Sequence, residues 1–470
     1  MHPLPDSARP TAPPRGVALA LLAIAVYAVC FWVLCDDHWW HMATGRLVLA
    51  TRQIPDVDPF SFTFGGAPWT NWEWLAGVVM YAAWAVGGPL GLTALRAVTF
   101  GGTVLAVLWH WWSRPGRQLE AGRTLAAALV GSAALLAVQV RVADRPHTYA
   151  FLLLALAHFL ATRLRDRWSP LAALVLAASF VFWVNFHPSW ILGLGLCGAV
   201  LGDGLLAAVR QQGLRALTRG WRLVLLGLAL AGSALLTPNA GLYGGSVADI
   251  FQEQVSGEWA PTWQFLTWTQ VPLLTFLLVA AAWVASLARS FFLSRSLPHD
   301  GSLRRGDRPA AEPVQQLVLA ALLLLAFRHV LLAPVFVIAA LPSLRLDLLG
   351  WPRLGRRLQP RVETLATAAL LIATLALAQH VRGILGTFGI GVDPRENPVA
   401  QTDFLRAHRL GGRIFCTSKE AHGYVAFQLW PVATVYIDGR VPQVFPAAFL
   451  ETYRQTGDPA LLDREIRRWG

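Results

Sequence analysis

Apolar runs of close to 20 residues recur from position 17 to about 380, the length at which an α-helix crosses a hydrocarbon core. Short polar turns separate them and carry most of the charge. The runs at 17–35, 90–112, 124–141, 146–162, 170–186, 189–209, 222–237, 271–288 and 362–380 each predict one span. The run 314–344 is interrupted by Arg328-His329 and predicts a helical hairpin. Residues 74–86 are short, flanked by tryptophans and cut off by Gly87-Gly88-Pro89, which predicts an interfacial segment. The expected fold class is therefore an all-α polytopic membrane protein with about eleven spans.

Composition agrees with the pattern. Only 14% of residues are charged, against roughly 25% in soluble domains, and the mean hydropathy is +0.48. A soluble enzyme is excluded. The net charge of +12 comes almost wholly from arginine, Lys419 being the only lysine. Much of this arginine lies in short loops, so it predicts topology and no nucleic-acid partner. By its bias, residues 1–16 form a cytoplasmic tail and 17–380 a multi-span membrane domain. Loops 36–89 and 238–270 then face outward, and the basic loop 289–313, rich in Pro, Gly and Ser, is cytoplasmic with local disorder.

Beyond 380 the pattern shifts to short alternating segments. Strands are expected at 413–417, 424–429 and 434–437 and helices near 398–408 and 446–455, giving a small extracytoplasmic α/β tail over 381–470. About 90 residues is near the lower limit for a self-sufficient core, so docking onto the membrane domain and continuation into a longer tail both stay open. The four cysteines, Cys30, Cys35, Cys197 and Cys416, form no disulfide or zinc pattern.

Candidate chemistry concentrates where the first span ends, in Asp36-Asp37-His38-Trp39-Trp40-His41. On a helix Asp37 and His41 are one turn apart, a pair able to hold a divalent ion (Mg or Mn) or to orient a nucleophile. The alternative is an interfacial belt in which the tryptophans anchor at the headgroups and the acids are solvated. Asp56, Asp58, Trp69, Trp72 and Glu73 follow in an aromatic, acidic loop. With Trp39 and Trp40, Trp69, Trp72 and Glu73 suit stacking and hydrogen bonding of a sugar or acceptor, or equally packing of the loop. Arg141 and Arg145, with His147, occupy a short turn where guanidiniums either grip a lipid-linked phosphate or snorkel to headgroups. Asn185 with His187, Glu258 with Trp259, and Arg328 with His329 fall on the same predicted side as Asp37, and one cleft could collect them.

Taken in order, DDHWWHMATGR, IPDVDPFSFTFGG, NWEWLAG, VADRPHTYAFLLLAL, WVNFHPSW, EWAP, GYVAFQLWP and VYIDGR resemble a large group of bacterial polytopic proteins related to the GT-C glycosyltransferase superfamily. The resemblance spans most of the chain. It implies a bacterial inner-membrane protein whose first-loop acid, here Asp37, activates an acceptor or binds metal. It also implies a sugar donor on a polyprenyl phosphate or diphosphate. The chain departs from the group's Asp-Pro-Asp-Leu-Trp-Trp-His pattern: Cys35 stands in place of the first acid and Asp36 in place of the proline. Pro188 follows His187 where the group carries glycine.

The sequence thus leads to the expectation of a membrane glycosyltransferase with Asp37 as general base and Arg141, Arg145 or a divalent cation stabilising the departing phosphate. Its partners would be a lipid-linked sugar donor and membrane lipids. The alternative is a non-catalytic lipid- or glycan-binding scaffold, or a transporter-like protein, although the paired broken helices of a transporter are not evident.

Overall fold

The computed structural model describes residues 12–34, 37–114, 122–213, 215, 220–240, 261–265, 271–296, 312–441 and 443–469. Most of loop 238–270, including Glu258 and Trp259, lies outside the described residues, as do Cys35, Asp36 and most of the basic loop 289–313.

The apolar runs form helices: α1 (Arg15–Ala28), α2 (His38–Thr51), α3 (Trp74–Ser113), α4 (Arg123–Gln139), α5 (Pro146–Asp166), α6 (Pro170–Val184) and α7 (Trp190–Gln212). After them come α8 (Trp221–Gly232), α9 (Val271–Ser296), α10 (Pro313–Arg328), α11 (Ala333–Ala340), α12 (Trp351–Arg357) and α13 (Pro360–Leu385). Five helical segments are long and apolar enough to cross a membrane among the described residues, and six further apolar helices are shorter. The chain is a helical membrane protein.

Prolines set several starts: Pro146, Pro170, Pro313 and Pro360 each begin a helix, where the missing N–H costs nothing. Gly88 breaks α3 with φ 55°, a left-handed angle open to glycine, so the 40-residue helix is two helices meeting at Gly87-Gly88-Pro89. α10 and α11 with their 3-10 turns form the expected hairpin around Arg328-His329.

Two ends of the bundle are defined by where helices start and stop. The C-termini of α1, α4, α6 and α13 meet the N-termini of α3, α5 and α7 at the first-loop end. At the opposite end Glu312, just before α10, takes Arg114 Nη2 at 2.6 Å and Arg165 Nη1 at 2.7 Å. Asp203 of α7 accepts the Val314 and Gln315 N–H groups, each at 2.9 Å, satisfying donors that the first turn of α10 cannot pair internally.

The tail contains α14 (Val399–Ala407), β1 (Gly412–Ile414), α15 (Lys419–Leu429), β2 (Ala433–Val435), α16 (Ala447–Arg454) and α17 (Pro459–Trp469). β1 and β2 pair in parallel, Gly412 with Ala433 through Ile414 with Val435. The expected strand at 424–429 is a helix. Ser418 caps it by accepting the Ala421 N–H, and its residues 421–427 are all buried, so the apolar run that mimics a strand is a helix covered on every side. α17 was not anticipated; its apolar positions are sparse among charges.

The tail shares its core with the first loop. The first loop lies beside β2, with Phe62 N donating to Val435 O and Val435 N to Phe60 O, each at 3.0 Å. Trp39, Met42 and Phe60 pack in one cluster with Tyr424, Phe427 and Val435, and Trp40 and Trp69 in another with Tyr436, Ile437 and Phe445. Arg440 closes the junction. Its Nη2 meets Asp58 and Asp438 at 2.6 Å each, with all three side chains fully buried, and its guanidinium lies 4.7 Å from the Trp69 ring centroid.

Candidate active site at the loop and tail junction

α2 crosses α3 at backbone contact. A Cβ on Gly45 would stand 2.1 Å from the Gly77 carbonyl oxygen, and one on Gly77 would stand 2.5 Å from that of His41. Only glycine permits this approach, and it brings the start of α2 against Glu73, the residue before α3. Glu73 is there shared between two imidazoles. His41 Nε2 lies 3.5 Å from Oε2, and His187 Nε2 lies 3.3 Å from Oε1.

The turn 185–189 fixes His187. Its Nδ1 accepts from the Ser189 N–H at 3.1 Å and faces the Ser189 hydroxyl at 2.7 Å, while Trp183 Nε1 donates to that hydroxyl at 3.1 Å. A neutral imidazole so placed carries its proton on Nε2 and donates to Glu73; this tautomer is assigned from the bonding pattern. Burial pushes the His187 pKa down to about 3, keeping the ring neutral. Burial, and then the neighbouring Asp37 charge, push Glu73 up to about 8 against the opposing pull of Arg145. Near neutrality Glu73 therefore holds a proton, and its contact with His187 joins two neutral groups rather than an ion pair.

Asp37 directly precedes α2 without a side-chain cap bond, and its Oδ2 lies 3.0 Å from Arg145 Nη2, both side chains about one-quarter exposed. Arg145 is held by a tight turn. Thr148 Oγ1 accepts the Ala143 N–H and donates to Arg141 O, both at 3.1 Å, and Pro146 starts α5 directly after it. His147 Nε2 meets the same Arg141 carbonyl at 3.1 Å, and the His147 and His187 rings are 6.3 Å apart. Behind this turn Asp144 Oδ1 meets Arg96 Nε of α3 at 3.1 Å, with the arginine side chain fully buried.

The tail completes the site. A Cβ on Gly439 would fall 1.9 Å from Asp37 Oδ1 and 2.8 Å from Trp40 Nε1, so the Asp438-Gly439-Arg440 turn rests directly on the acid. Glycine is required here for space alone.

Of the residues expected to act, the structure gathers Asp37, His41, Glu73, Arg145 and His187, with Arg141 and His147 in the adjoining turn. Asp37 and His41 turn to different partners, Arg145 and Glu73. Among the described residues no three His, Cys, Asp or Glu groups are arranged to hold a metal ion, and no step below is routed through one. Trp39, Trp40, Trp69 and Trp72 are 0%, 4%, 2% and 8% exposed. Trp39, Trp40 and Trp69 are wedged between loop and tail, Trp39 Nε1 donating to Asn397 at 2.7 Å and Trp69 Nε1 to Gln443 at 3.1 Å. Of the two readings kept for these tryptophans, stacking and packing, the burial of Trp39, Trp40 and Trp69 in the shared clusters agrees with packing.

Asn185 is occupied structurally as well. It accepts from Trp74 Nε1 at 3.1 Å and donates to the Val181 and Leu236 carbonyls, each at 2.9 Å. Arg328 and buried His329 stand at the α10 turn, and the ion pairs just described do not include Arg328. Glu258 lies outside the described residues.

Sequence reasoning missed Arg96 with Asp144, Arg440 with Asp58, and Gly439. A signal existed for Arg96, a charge inside an apolar helix. For Arg440, the charges of VYIDGR at the end of an apolar strand were visible but their partner was not. No protein-family model matches the chain, and no curated protein matches it significantly.

Proposed function

We propose that the chain is a membrane glycosyltransferase that moves a sugar from a polyprenyl-phosphate carrier onto an acceptor hydroxyl. The reaction is assigned to the outer face of a bacterial cytoplasmic membrane, on a domain of about eleven spans with the N-terminus inside and the tail outside. The observation that carries this reading is the Asp37–Arg145 pair, a carboxylate and a phosphate-binding cation 3.0 Å apart at the end of the helix bundle.

At rest Arg145 occupies Asp37 in an ion pair. A donor phosphate that engages the guanidinium competes for it, so binding of the carrier frees the base it needs. The acceptor oxygen then bonds to the anomeric carbon as its proton passes to Asp37, and the bond from that carbon to the phosphate oxygen breaks. The phosphate leaves with both electrons of that bond, its charge met by Arg145. Glu73, kept neutral beside the ion pair, leaves Asp37 as the one ionised carboxylate of the cluster. The resemblance of the sequence to GT-C enzymes favours the same chemistry.

The close seat of Gly439 on Asp37 favours a second reading, a non-catalytic lipid- or glycan-binding scaffold in which the tail seals the site. Incubating the purified full-length protein with radiolabelled polyprenyl-phosphate sugars and a cell-envelope acceptor fraction separates the two. Label moving from the lipid phase to the acceptor supports transfer; retention of all label on the carrier supports the scaffold.

A further inference from the structure

A second recess lies on the tail, away from the polar groups of the Asp37 site. It has a volume of about 220 Å³ and is lined by Phe62, Phe415, Tyr436 and Trp469 together with Arg413 and Glu465. Sites that engulf drug-sized ligands run to roughly 300–1,000 Å³, so this one takes a single ring-sized unit. Phe62, Phe415 and Trp469 are half-buried, leaving ring surface open to the recess, in contrast to the loop tryptophans.

Its carboxylate is built in. Glu465 is 7% exposed, and its Oε2 accepts from the Tyr436 hydroxyl at 2.7 Å and from Trp469 Nε1 at 3.0 Å, while Arg468 approaches Oε1 at 3.7 Å. On the opposite wall exposed Arg413 lies over the Phe62 ring at 5.7 Å and donates to the Trp469 carbonyl. Flat apolar faces with a fixed acceptor on one side and a cation on the other match a ligand that is apolar across its C–H faces and rich in hydroxyls around its rim. A pyranose has that character; an acyl chain lacks the hydroxyls.

We infer that this aromatic recess is a saccharide-binding site that takes one pyranose unit, stacked on the Trp469 and Phe415 rings with its hydroxyls on Glu465 and Arg413. Tyr436 of the recess and Gly439, which rests on Asp37, are three residues apart in the chain, so one segment of the tail serves both places. Assignment of the recess to the acceptor glycan rests on the transferase reading, whereas saccharide binding itself does not.

Saturation-transfer NMR on the full-length protein in lipid nanodiscs tests this without a sugar-headed detergent competing. The probes are the methyl glycosides of glucose, mannose and N-acetylglucosamine. Wild type should transfer saturation to at least one glycoside, and Trp469→Ala and Glu465→Gln should weaken its binding about 10-fold. Glu465→Gln keeps the shape of the wall and guards against a variant that merely unfolds the tail. Absence of signal from all three glycosides, or equal affinity in wild type and both recess variants, overturns the inference. Binding without transfer of carrier label would sink the transferase reading and leave the recess standing. Transfer of label by a protein that binds no glycoside would do the reverse.

Discussion

Three side chains carry the account at the residue scale, and each has a different job. On the proposed reading Arg145 meets the donor phosphate, and the bidentate fork of arginine matters to it. Arg145→Lys should recover only part of the affinity for a polyprenyl-phosphate analogue that Arg145→Ala loses; equal binding by wild type and Arg145→Ala would reduce the residue to a topology charge. Glu73 makes a pH prediction. Its native pKa of about 8 stands above its ordinary value of 4.5, so its contribution to stability is complete below about 4.5 and is lost as pH rises through 8. His187, depressed from 6.5 to about 3, works in the opposite sense: its contribution is present above 6.5 and lost as pH falls towards 3. Comparison with Glu73→Gln isolates the carboxyl. Between pH 5 and 8 the thermal unfolding temperature of wild type should fall relative to the variant, by an amount on the order of a few kcal/mol of stability. Parallel curves would mean that Glu73 is already ionised at pH 5.

At the scale of elements, the crossing of α2 on α3 sets the geometry, because it carries Asp37 and His41 to Glu73. Gly77→Ala would push a methyl into the His41 carbonyl. Overpacking of this kind costs typically about 1–3 kcal/mol, and here it also separates the helices that frame the site. A lowered unfolding temperature is therefore expected together with a larger loss of transfer activity than the stability change explains; full activity would show that the crossing is not what orders the site. The helices were legible because apolar length and Gly87-Gly88-Pro89 act locally. Asp37, Arg145 and His187 were legible because each sits at the end of an apolar run, where topology alone groups them. The burial of Trp39 and Trp69 was not legible. A tryptophan that anchors at a membrane surface and one that packs under a tail look alike until the tail's position is known. Residues 424–429 misled for a related reason: a short apolar run reads the same for a buried helix and a strand, and only the Ser418 cap and the cover on all sides decide it.

Over the whole molecule, the membrane bundle and the tail act as one unit at the first-loop end. Arg440, buried between Asp58 of the loop and Asp438 of the tail, ties the two, and removing one partner of such a cluster typically costs about 3–5 kcal/mol because the others stay buried without compensation. That coupling explains why the tail, which shares its core with the first loop, can seat Gly439 on Asp37. On the proposed reading, the same arrangement makes Asp37 the point at which donor, base and tail meet. The most direct measurement is transfer of label from a radiolabelled polyprenyl-phosphate sugar by wild type and by Asp37→Asn, with membrane insertion and unfolding temperature checked in parallel. The account predicts that the folded, inserted variant loses about 100-fold to 10,000-fold in rate, the usual contribution of a general base. Equal rates from wild type and Asp37→Asn would contradict it.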